Sequence, residues 1–266
     1  MPAAKQTRIA SARSIVLEHV EYFARHFGLV ESHWKADSSR VTEADLTLSR
    51  NISQALSQAF PEDDCVSEEE LPTVGARDLS ARFCWVLDPI DGTNNYARGI
   101  PMCGISLGLL EDGYPVYGFI YDHLGRRFLE GGPGLGIRSD GRQIPVPKSP
   151  PVFDPRALVT LHFPVPEAHL RRIEPILRRN TVRCLGSAAL NLSYNALGHF
   201  DGSIDHNTKV WDIAAAQAIL EAAGRRIIFI NENPFPLRKF GENPTKLELL
   251  AGPEAFFEFT LPLFTK

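Results

Sequence analysis

The sequence predicts a layered α/β protein, in which helices pack on sheets. Two patterns carry this prediction. The first half combines amphipathic helices with strand-length apolar runs joined by tight turns, and the second half alternates strands with helices. The chain has 266 residues, 44% of them hydrophobic, and a chain of this length buries roughly 70 to 75% of its unfolded surface. It is therefore long enough for one large domain or for two halves that share an interface.

Two helices are predicted near the N-terminus. Apolar residues recur at intervals of three and four over residues 9–27, and Gly28 follows where a helix C-cap is expected. A second helix starts after Thr42, whose hydroxyl can cap it, and stops before Pro61. The acidic residues 62–70 are predicted to form a loop.

Three apolar runs, residues 83–87, 103–110 and 115–121, predict a mainly antiparallel sheet in the first half. The first run ends in acidic and turn residues, as a buried strand does when it delivers side chains to a site. The second and third runs are separated by Asp112-Gly113, which is a strong hairpin signal.

The second half of the chain predicts alternating strands and helices, and hence layered α/β structure. Five prolines within residues 145–155 mark the best boundary, because proline neither continues a helix nor pairs within a sheet. We therefore expect an N-terminal half, 1–150, and a C-terminal half, 151–266, that share one active site. The expected strands are 157–162, 181–185, 199–205 and 225–230, and the expected helices are 167–179, 187–197 and 210–223.

Composition excludes several classes of protein. There are 28 Lys and Arg against 32 Asp and Glu, so the formal charge is −4, which disfavours a nucleic-acid partner. The four cysteines are widely spaced, as expected for reduced thiols rather than a disulfide scaffold. The first 20 residues contain no signal-peptide core, and the apolar run 99–110 is too short to cross a bilayer. We expect a cytoplasmic protein without a membrane span.

The residues that suggest chemistry follow the first predicted strand. Asp88 and Asp91 stand three residues apart, directly before Gly92. Carboxylates and backbone carbonyls are the ligands that hard divalent cations prefer. Gly92 lets the backbone approach an anion closely, and the N–H groups of a following helix can bind phosphate. A simple turn is the alternative interpretation, but a turn requires neither both acids nor the buried strand before them.

The segment from Asp88 to Tyr96 resembles the signature D-P-[IL]-D-G-T-x-[NG]-[FY] of the inositol monophosphatase family of Mg²⁺-dependent, lithium-sensitive sugar-phosphate phosphatases. Glu68 lies 20 residues before Asp88, where that family has paired glutamates. Trp211-Asp212-Ile-Ala-Ala is similar to its second signature. The similarity covers about residues 31 to 251. It implies a five-layer αβαβα sandwich of the sugar-phosphatase type and a homodimer.

The resemblance also implies roles for individual residues. The Mg²⁺ ions, two or three in number, would be bound by Glu68, Asp88, the carbonyl of Ile90, Asp91 and Asp212. The catalytic residues would be Glu68, Thr93 and Asp45, which position and deprotonate the attacking water. The substrate, a small phosphorylated molecule, would be bound by Gly92, Thr93, Gly186, Ser187, Ala188 and Asp205.

The implied reaction is hydrolysis of a small phosphate monoester. Inositol 1-phosphate is the first choice, and the alternatives are fructose 1,6-bisphosphate, histidinol phosphate and 3'-phosphoadenosine 5'-phosphate. The sequence departs from the family pattern at Ser49, Asp140 and Ala223. None of these is a proposed metal ligand, so the departures leave the substrate open rather than the metal site.

Several of these residues also have purely structural interpretations. Asp45 can complete a capping box with Thr42, and Asp212 can be a helix N-terminal acid that interacts with the helix dipole. Glu68 can belong to a solvated acidic loop, and Asp205 can be a turn residue.

Two other functions stay open at this point. Gly104-Ile-Ser106-Leu-Gly108 matches the G-x-S-x-G motif of serine esterases, although it lies within a predicted strand rather than at a strand-to-helix turn. A non-catalytic, regulatory member of the same fold is the other alternative, because fold does not fix function.

Overall fold

Two β-sheets and the helices that cover them form the frame of the molecule in a computed structural model, which describes residues 3–35, 40–72, 74–146, 148–150, 152–241 and 245–264. The helices are α1 Ala3–His26, α2 Glu43–Ala59, α3 Thr93–Ala97, α4 Glu167–Arg179, α5 Ala188–Ala196, α6 Val210–Ala222 and α7 Glu254–Phe264. The strands are β1 Ser32–Trp34, β2 Arg40–Thr42, β3 Asp64–Ser67, β4 Ala76–Asp78, β5 Phe83–Asp91, β6 Gly104–Glu111, β7 Tyr114–Asp122, β8 Arg127–Gly132, β9 Gly136–Ser139, β10 Arg142–Ile144, β11 Leu158–Leu161, β12 Thr181–Arg183, β13 Gly202–Thr208, β14 Arg226–Phe229, β15 Lys239–Gly241 and β16 Leu247–Gly252.

These elements stack in five layers, as expected for an αβαβα sandwich. Helices α1 and α2 cover one face of a seven-stranded sheet of order β10-β9-β8-β7-β6-β5-β3. Helices α5 and α6 lie between that sheet and a five-stranded sheet of order β12-β11-β13-β16-β14. Helices α4 and α7 cover the outer face of the second sheet. The apolar cores therefore lie between successive layers.

The N-terminal predictions are largely confirmed. Helix α2 is capped by Thr42, and Asp45 completes the capping box. The hairpin between β6 and β7 turns at Asp112 and Gly113, whose φ angles of 50° and 80° are those of a type I′ turn. The prediction that residues 62–70 form only a loop was wrong. They contain β3, which pairs parallel with β5, and a 3₁₀ turn, Glu68–Glu70. Buried Val66 and Ser67 anchor this edge strand, but its short length hides the apolar pattern.

Strand β5 is longer than predicted and carries the functional segment. All nine of its residues are buried, and its pairing with β6 is interrupted between Asp88 and Asp91. Such an interruption redirects side chains at the end of a strand. Asp88 and Asp91 of the signature therefore lie within the seven-stranded sheet rather than in a loop beside it.

Helix α6 lies unusually close to the seven-stranded sheet. A Cβ atom on Gly108 would stand 2.8 Å from the Cβ of Ala214, and one on Gly118 would stand 2.1 Å from the carbonyl oxygen of Ala215. Glycine in the strands and alanine on the helix permit this approach. Because α6 begins at the site end of β5, the close contact sets how near Asp212 comes to Asp88.

The sequence patterns did not predict β1, β2, β4, β8 to β10, β15, β16 or α7, and most of these elements are only three to six residues long. The described residues of 145–155 form neither helix nor strand, and residues 147 and 151 lie outside the described part. The division at residue 150 stays a prediction, although α5 and α6 from the second half cover the first sheet. All four cysteines are free. Among the described helices, none has the length and apolarity that a membrane span requires.

Candidate active site

A cleft of about 380 Å³ opens where β5 ends and where helices α5 and α6 begin. Its acidic end contains Glu68, Asp88, Asp91 and Asp212. Beside these carboxylates lie Ile90, Gly92 and Thr93, and the segment 186–188 forms one wall. Most residues that the sequence singled out as candidates therefore meet in one cavity, although they come from both halves of the chain.

Three carboxylates form the floor of the acidic end. Asp88, Asp91 and Asp212 each offer an oxygen within 4.8 Å of the others. Burial raises the pKa of Asp88 well above its ordinary value, and the charges of Glu68, Asp91 and Asp212 raise it further. Burial, with the charges of Asp91 and Glu68, does the same to the pKa of Asp212. Mutually repelling carboxylates at this spacing are the donor set that suits a hard divalent cation.

Asp91 is held by the N-terminus of helix α5. Its carboxylate accepts hydrogen bonds from the Ser187 hydroxyl, from the Ala188 N–H at 3.2 Å and from the Ala189 N–H at 2.8 Å. Burial raises the pKa of Asp91 to about 6, while these donors act in the opposite direction. Ser187 and Ala188, which the sequence assigned to the substrate, line the cleft but direct these donors to Asp91.

Glu68 stands beside the cluster rather than inside it. It follows β3, the parallel neighbour of β5, and its carboxylate accepts a hydrogen bond from Lys35 at 3.0 Å. Lys35 also binds Glu69 at 2.6 Å. Burial raises the pKa of Glu68 to about 7, against the opposing charge of Lys35. Sequence reasoning missed Lys35, because nothing in the local pattern links it to the paired glutamates.

Thr93 joins the end of β5 to helix α2. Its hydroxyl lies 3.1 Å from a carboxylate oxygen of Asp45 and 3.0 Å from the carbonyl oxygen of Ile90. Asp45 is fully buried, and its other oxygen accepts the Thr42 N–H at 2.8 Å. Burial raises the pKa of Asp45 to about 7. The structural interpretation of Asp45 as a capping residue is thus correct, and the same carboxylate also contacts Thr93.

Asp212 likewise has a structural contact at its helix start. The Lys209 N–H donates to its carboxylate at 2.6 Å. Because this bond uses one side of the carboxylate at the first turn of α6, it fixes the side chain towards the cluster.

The loop at Gly186 is positioned by Asn95. The side-chain amide of Asn95 donates to the carbonyls of Leu185 at 2.7 Å and Met102 at 2.8 Å. Gly186 itself has a φ of 75° and lines the cleft. Asn95 of the predicted signature therefore links α3, which follows β5, to the Gly186 loop.

Asp205 lies behind the cleft rather than on its surface. It is buried, one of its oxygens accepts the Asn207 N–H at 2.9 Å, and the other lies 3.7 Å from Nδ1 of His162. Burial raises the pKa of Asp205 to about 6. The side chains of His162 and Asn207 line the cleft in front of it. A direct contact between Asp205 and a substrate is therefore not what the geometry favours.

Ser106 lies in the middle of strand β6, where it is fully buried and pairs in register with Asp88. A nucleophile elbow requires an exposed serine at a strand-to-helix turn. The G-x-S-x-G match is therefore part of the sheet, and the geometry does not support an esterase.

The cleft is also lined by residues that sequence reasoning did not select. They are Trp34, Arg40, His162, Phe163, Asn207, Thr208, Lys209 and Lys246. These residues come from segments far apart in the chain, so no local motif identifies them.

Comparison with known proteins agrees with this geometry. The model of the family described as "Inositol monophosphatase family" matches residues 3–251. The Nus factor SuhB of Xylella fastidiosa is 30% identical over 240 residues, which cover 86% of this chain and 83% of that protein. A fructose-1,6-bisphosphatase/inositol-1-monophosphatase of Aquifex aeolicus is 29% identical over 238 residues, covering 87% and 84%.

A solved structure shows the same fold. It is an IMPase of Thermotoga maritima, with a TM-score of 0.81 and 23% identity over 97% of this chain and 96% of that one. The layer order, the acidic cluster at the end of β5 and the match of the family model along nearly the whole chain lead to one assignment. The chain belongs to the inositol monophosphatase family of phosphatases.

Proposed function

We propose that this protein hydrolyses small phosphate monoesters with the help of Mg²⁺, and that inositol 1-phosphate is one of its substrates. The observation that carries the proposal is the cluster of Asp88, Asp91 and Asp212 beside Gly92 and Thr93. A phosphatase must both neutralise a phosphate dianion and activate water. The acidic end of the cleft provides a metal-binding donor set next to backbone that a phosphate can approach.

The donor set fits Mg²⁺ better than a softer metal. It consists of carboxylates and the carbonyl of Ile90, and oxygen ligands of this kind suit Mg²⁺. Asp88, Asp91 and Asp212 would hold the ions, with Ile90 and Glu68 completing the set for two or three of them. When bound, Mg²⁺ stabilises charge on the phosphate and makes water more acidic.

The protein's own residues orient the attacking water. The Thr93 hydroxyl lies at the end of β5 in contact with Asp45, so a proton passed to Thr93 can move on to the Asp45 carboxylate. The pKa of Asp45, raised by burial to about 7, suits a group that accepts a proton near neutral pH. The N–H groups of Gly92 and Thr93 would bind phosphate oxygens at the start of α3, and Gly186 would contact the rest of the substrate.

We extend the proposal to lithium inhibition, oligomeric state and location. The resemblance that predicts the fold also predicts inhibition by lithium and a homodimer, and the composition predicts a cytoplasmic protein. Histidinol phosphate and 3'-phosphoadenosine 5'-phosphate remain alternative substrates, as does fructose 1,6-bisphosphate.

The test measures release of inorganic phosphate from inositol 1-phosphate with and without Mg²⁺, and with Li⁺ added. We expect release that requires Mg²⁺ and decreases with Li⁺. The variant Asp88→Asn should lose several orders of magnitude in rate while it stays folded, because it removes the central carboxylate of the cluster. Asp78→Asn, which changes an exposed aspartate on β4, is the matched control.

Near-normal activity of Asp88→Asn would disprove the proposed site. Binding of inositol 1-phosphate without phosphate release by the wild-type protein would instead favour the regulatory alternative.

A further inference from the structure

We infer that His162 and Asn207 together bind one hydroxyl group of the substrate, and that Asp205, which lies behind them, is a positioning residue that orients both. The steps proposed above use none of these three side chains. This inference rests on the proposed function, because it concerns the part of the substrate that remains outside the metal site.

His162 and Asn207 lie next to each other on the surface of the cleft. His162 follows β11, and Asn207 stands near the end of β13, the strand that pairs with β11. Two residues after Asn207, the N–H of Lys209 donates to Asp212 of the acidic cluster at 2.6 Å. Because both residues line the same cleft as the cluster, a substrate whose phosphate is bound there can contact them.

Asp205 holds the irregular part of β13 that presents Asn207. The pairing of β13 with β16 shifts its register between Asp205 and Thr208, and a bulge of this kind re-aims the side chains within it. One carboxylate oxygen of Asp205 accepts the Asn207 N–H at 2.9 Å and so fixes the bulge. Asp205 itself is buried behind the cleft, so it can act on a substrate only through its neighbours.

The other carboxylate oxygen of Asp205 faces His162. It lies 3.7 Å from Nδ1, which is too far for a hydrogen bond but close enough for the negative charge to favour a proton on that nitrogen. Burial raises the pKa of Asp205 to about 6, so the carboxylate is ionised at neutral pH. With the proton on Nδ1, Nε2 of His162 is left as a hydrogen-bond acceptor.

The surroundings of His162 keep the ring neutral and fix its position. Burial lowers the pKa of His162, and the charge of Lys246 lowers it further. The ring of His206 packs edge-on against it with the centroids 5.2 Å apart. Nε2 of His206 lies 3.0 Å from the carbonyl oxygen of Pro164, which ties down the segment that carries His162.

The spacing of the two polar groups suits a hydroxyl. Nε2 of His162 and the side-chain amide nitrogen of Asn207 stand 3.4 Å apart, which is long for a hydrogen bond between them. A hydroxyl oxygen about 2.8 Å from both atoms would accept from the amide and donate to Nε2. An ammonium group has no lone pair for the amide, and an ether or a carbonyl has no proton for Nε2. The pair therefore selects an alcohol.

The test compares kcat/KM for inositol 1-phosphate and for 4-nitrophenyl phosphate, which has no hydroxyl group. His162→Phe should lower the ratio of the two values, inositol 1-phosphate over 4-nitrophenyl phosphate, by about tenfold, mainly through KM. His162→Gln, whose amide oxygen can accept the hydroxyl proton, should recover most of the ratio. His199→Phe, which replaces an exposed histidine outside the cleft, should leave it as in the wild type.

Asp205→Asn tests the positioning role. The new amide oxygen would keep the Asn207 N–H, so its NH₂ group would face Nδ1 of His162 and drive the proton to Nε2. The ratio should then fall by about fivefold to tenfold, and His162→Phe added to Asp205→Asn should cause no further loss. Nitrogen NMR of the imidazoles should show the Nδ1–H form of His162 in the wild type and the Nε2–H form in Asp205→Asn.

Three results would overturn the inference while phosphate release itself upholds the proposed function. They are an unchanged ratio or equal losses for both substrates in His162→Phe, additive losses in the double variant, and a His162 ring that keeps the Nδ1–H form in Asp205→Asn. If the wild-type protein releases phosphate from neither substrate, the proposed function fails. In that case, or if only one substrate is hydrolysed, calorimetric titration with inositol 1-phosphate decides the inference. Binding that His162→Phe weakens supports it, and binding that is absent or insensitive to the substitution rejects it.

Discussion

Gly92 is the position where a single added methyl group should most clearly separate stability from catalysis. It lies between Asp91 and Thr93 with a φ of 86°. A Cβ atom there would stand 2.9 Å from the carbonyl oxygen of Met102, 3.2 Å from that of Gly186 and 3.3 Å from the Cβ of Ser187. The left-handed conformation costs alanine roughly 1 kcal/mol, and overpacking against stiff backbone adds about 1–3 kcal/mol. We expect Gly92→Ala to lower the free energy of unfolding by about 3 kcal/mol.

The matched control is Gly134→Ala. Gly134 has a similar φ of 74°, but nothing lies within 4 Å of the added Cβ. Its substitution should cost only the conformational part, about 1 kcal/mol. Urea unfolding of both variants, followed by circular dichroism, measures the two costs.

Activity provides the second readout. Because relief of the contacts at residue 92 must displace the end of β5 or the Gly186 loop, Gly92→Ala should lose at least about a hundredfold in kcat/KM. Gly134→Ala should retain wild-type activity. If the two variants are equally stable and equally active, the close approach of these segments does not constrain the site, and the reasoning is refuted.

Four further results are expected. Mg²⁺ should stabilise the protein because it relieves repulsion within the acidic cluster, by about 2.7 kcal/mol at a hundred times its dissociation constant, and thermal unfolding of Asp88→Asn should show a smaller increase. The pKa of Asp45, raised from 3.8 to about 7, means that the native state keeps a proton which the unfolded chain releases. Its contribution is therefore complete below about pH 4 and is lost as the pH rises through 7, so the stability of the wild type relative to Asp45→Asn should fall by at most ~4 kcal/mol across that range in urea titrations. Ser187→Ala leaves buried Asp91 without one donor and should cost about 1–2 kcal/mol in the same assay, with weaker Mg²⁺ binding by calorimetry, and an unchanged affinity would contradict the role of the α5 N-terminus. A serine-directed phosphonate should not label Ser106 in the folded protein. A phosphonate adduct on Ser106, detected by mass spectrometry, would support the esterase hypothesis instead.

Asp88 and Asp91 could be predicted as a metal-binding pair because their signals are local, whereas Glu68 and Asp212 were implied only by the family resemblance. Asp88 and Asp91 lie at the end of one buried strand. Thr42 and Asp45 form a capping box that marks the start of α2 within four residues. A strand that is buried on both faces and a helix cap each leave a short-range pattern. The chemistry of this end could therefore be inferred before any packing was known.

The part of the cleft lined by His162 and Lys246 could not be predicted in the same way. His162 and Lys246 become neighbours only because β13 lies between β11 and β16. The engagement of Asp91 by helix α5 is equally non-local, and nothing in the sequence indicates that Ser187 and Ala188, assigned to the substrate, also donate to Asp91. Asp205 carried a plausible spacing but lies behind His162. Tertiary packing decides whether a carboxylate faces a cavity. The order of residues along the chain does not carry that information.

The bond between Asp91 and helix α5 has a consequence for how the enzyme becomes active. The Asp91 carboxylate belongs to the acidic cluster at the end of β5 and also accepts hydrogen bonds from the N-terminus of α5. If the cluster binds Mg²⁺ as proposed, docking of α5 on the end of β5 and binding of the cation are coupled equilibria, and each changes the other by the same free energy. The proposed activity then depends on the packing of α5 as well as on the carboxylates themselves.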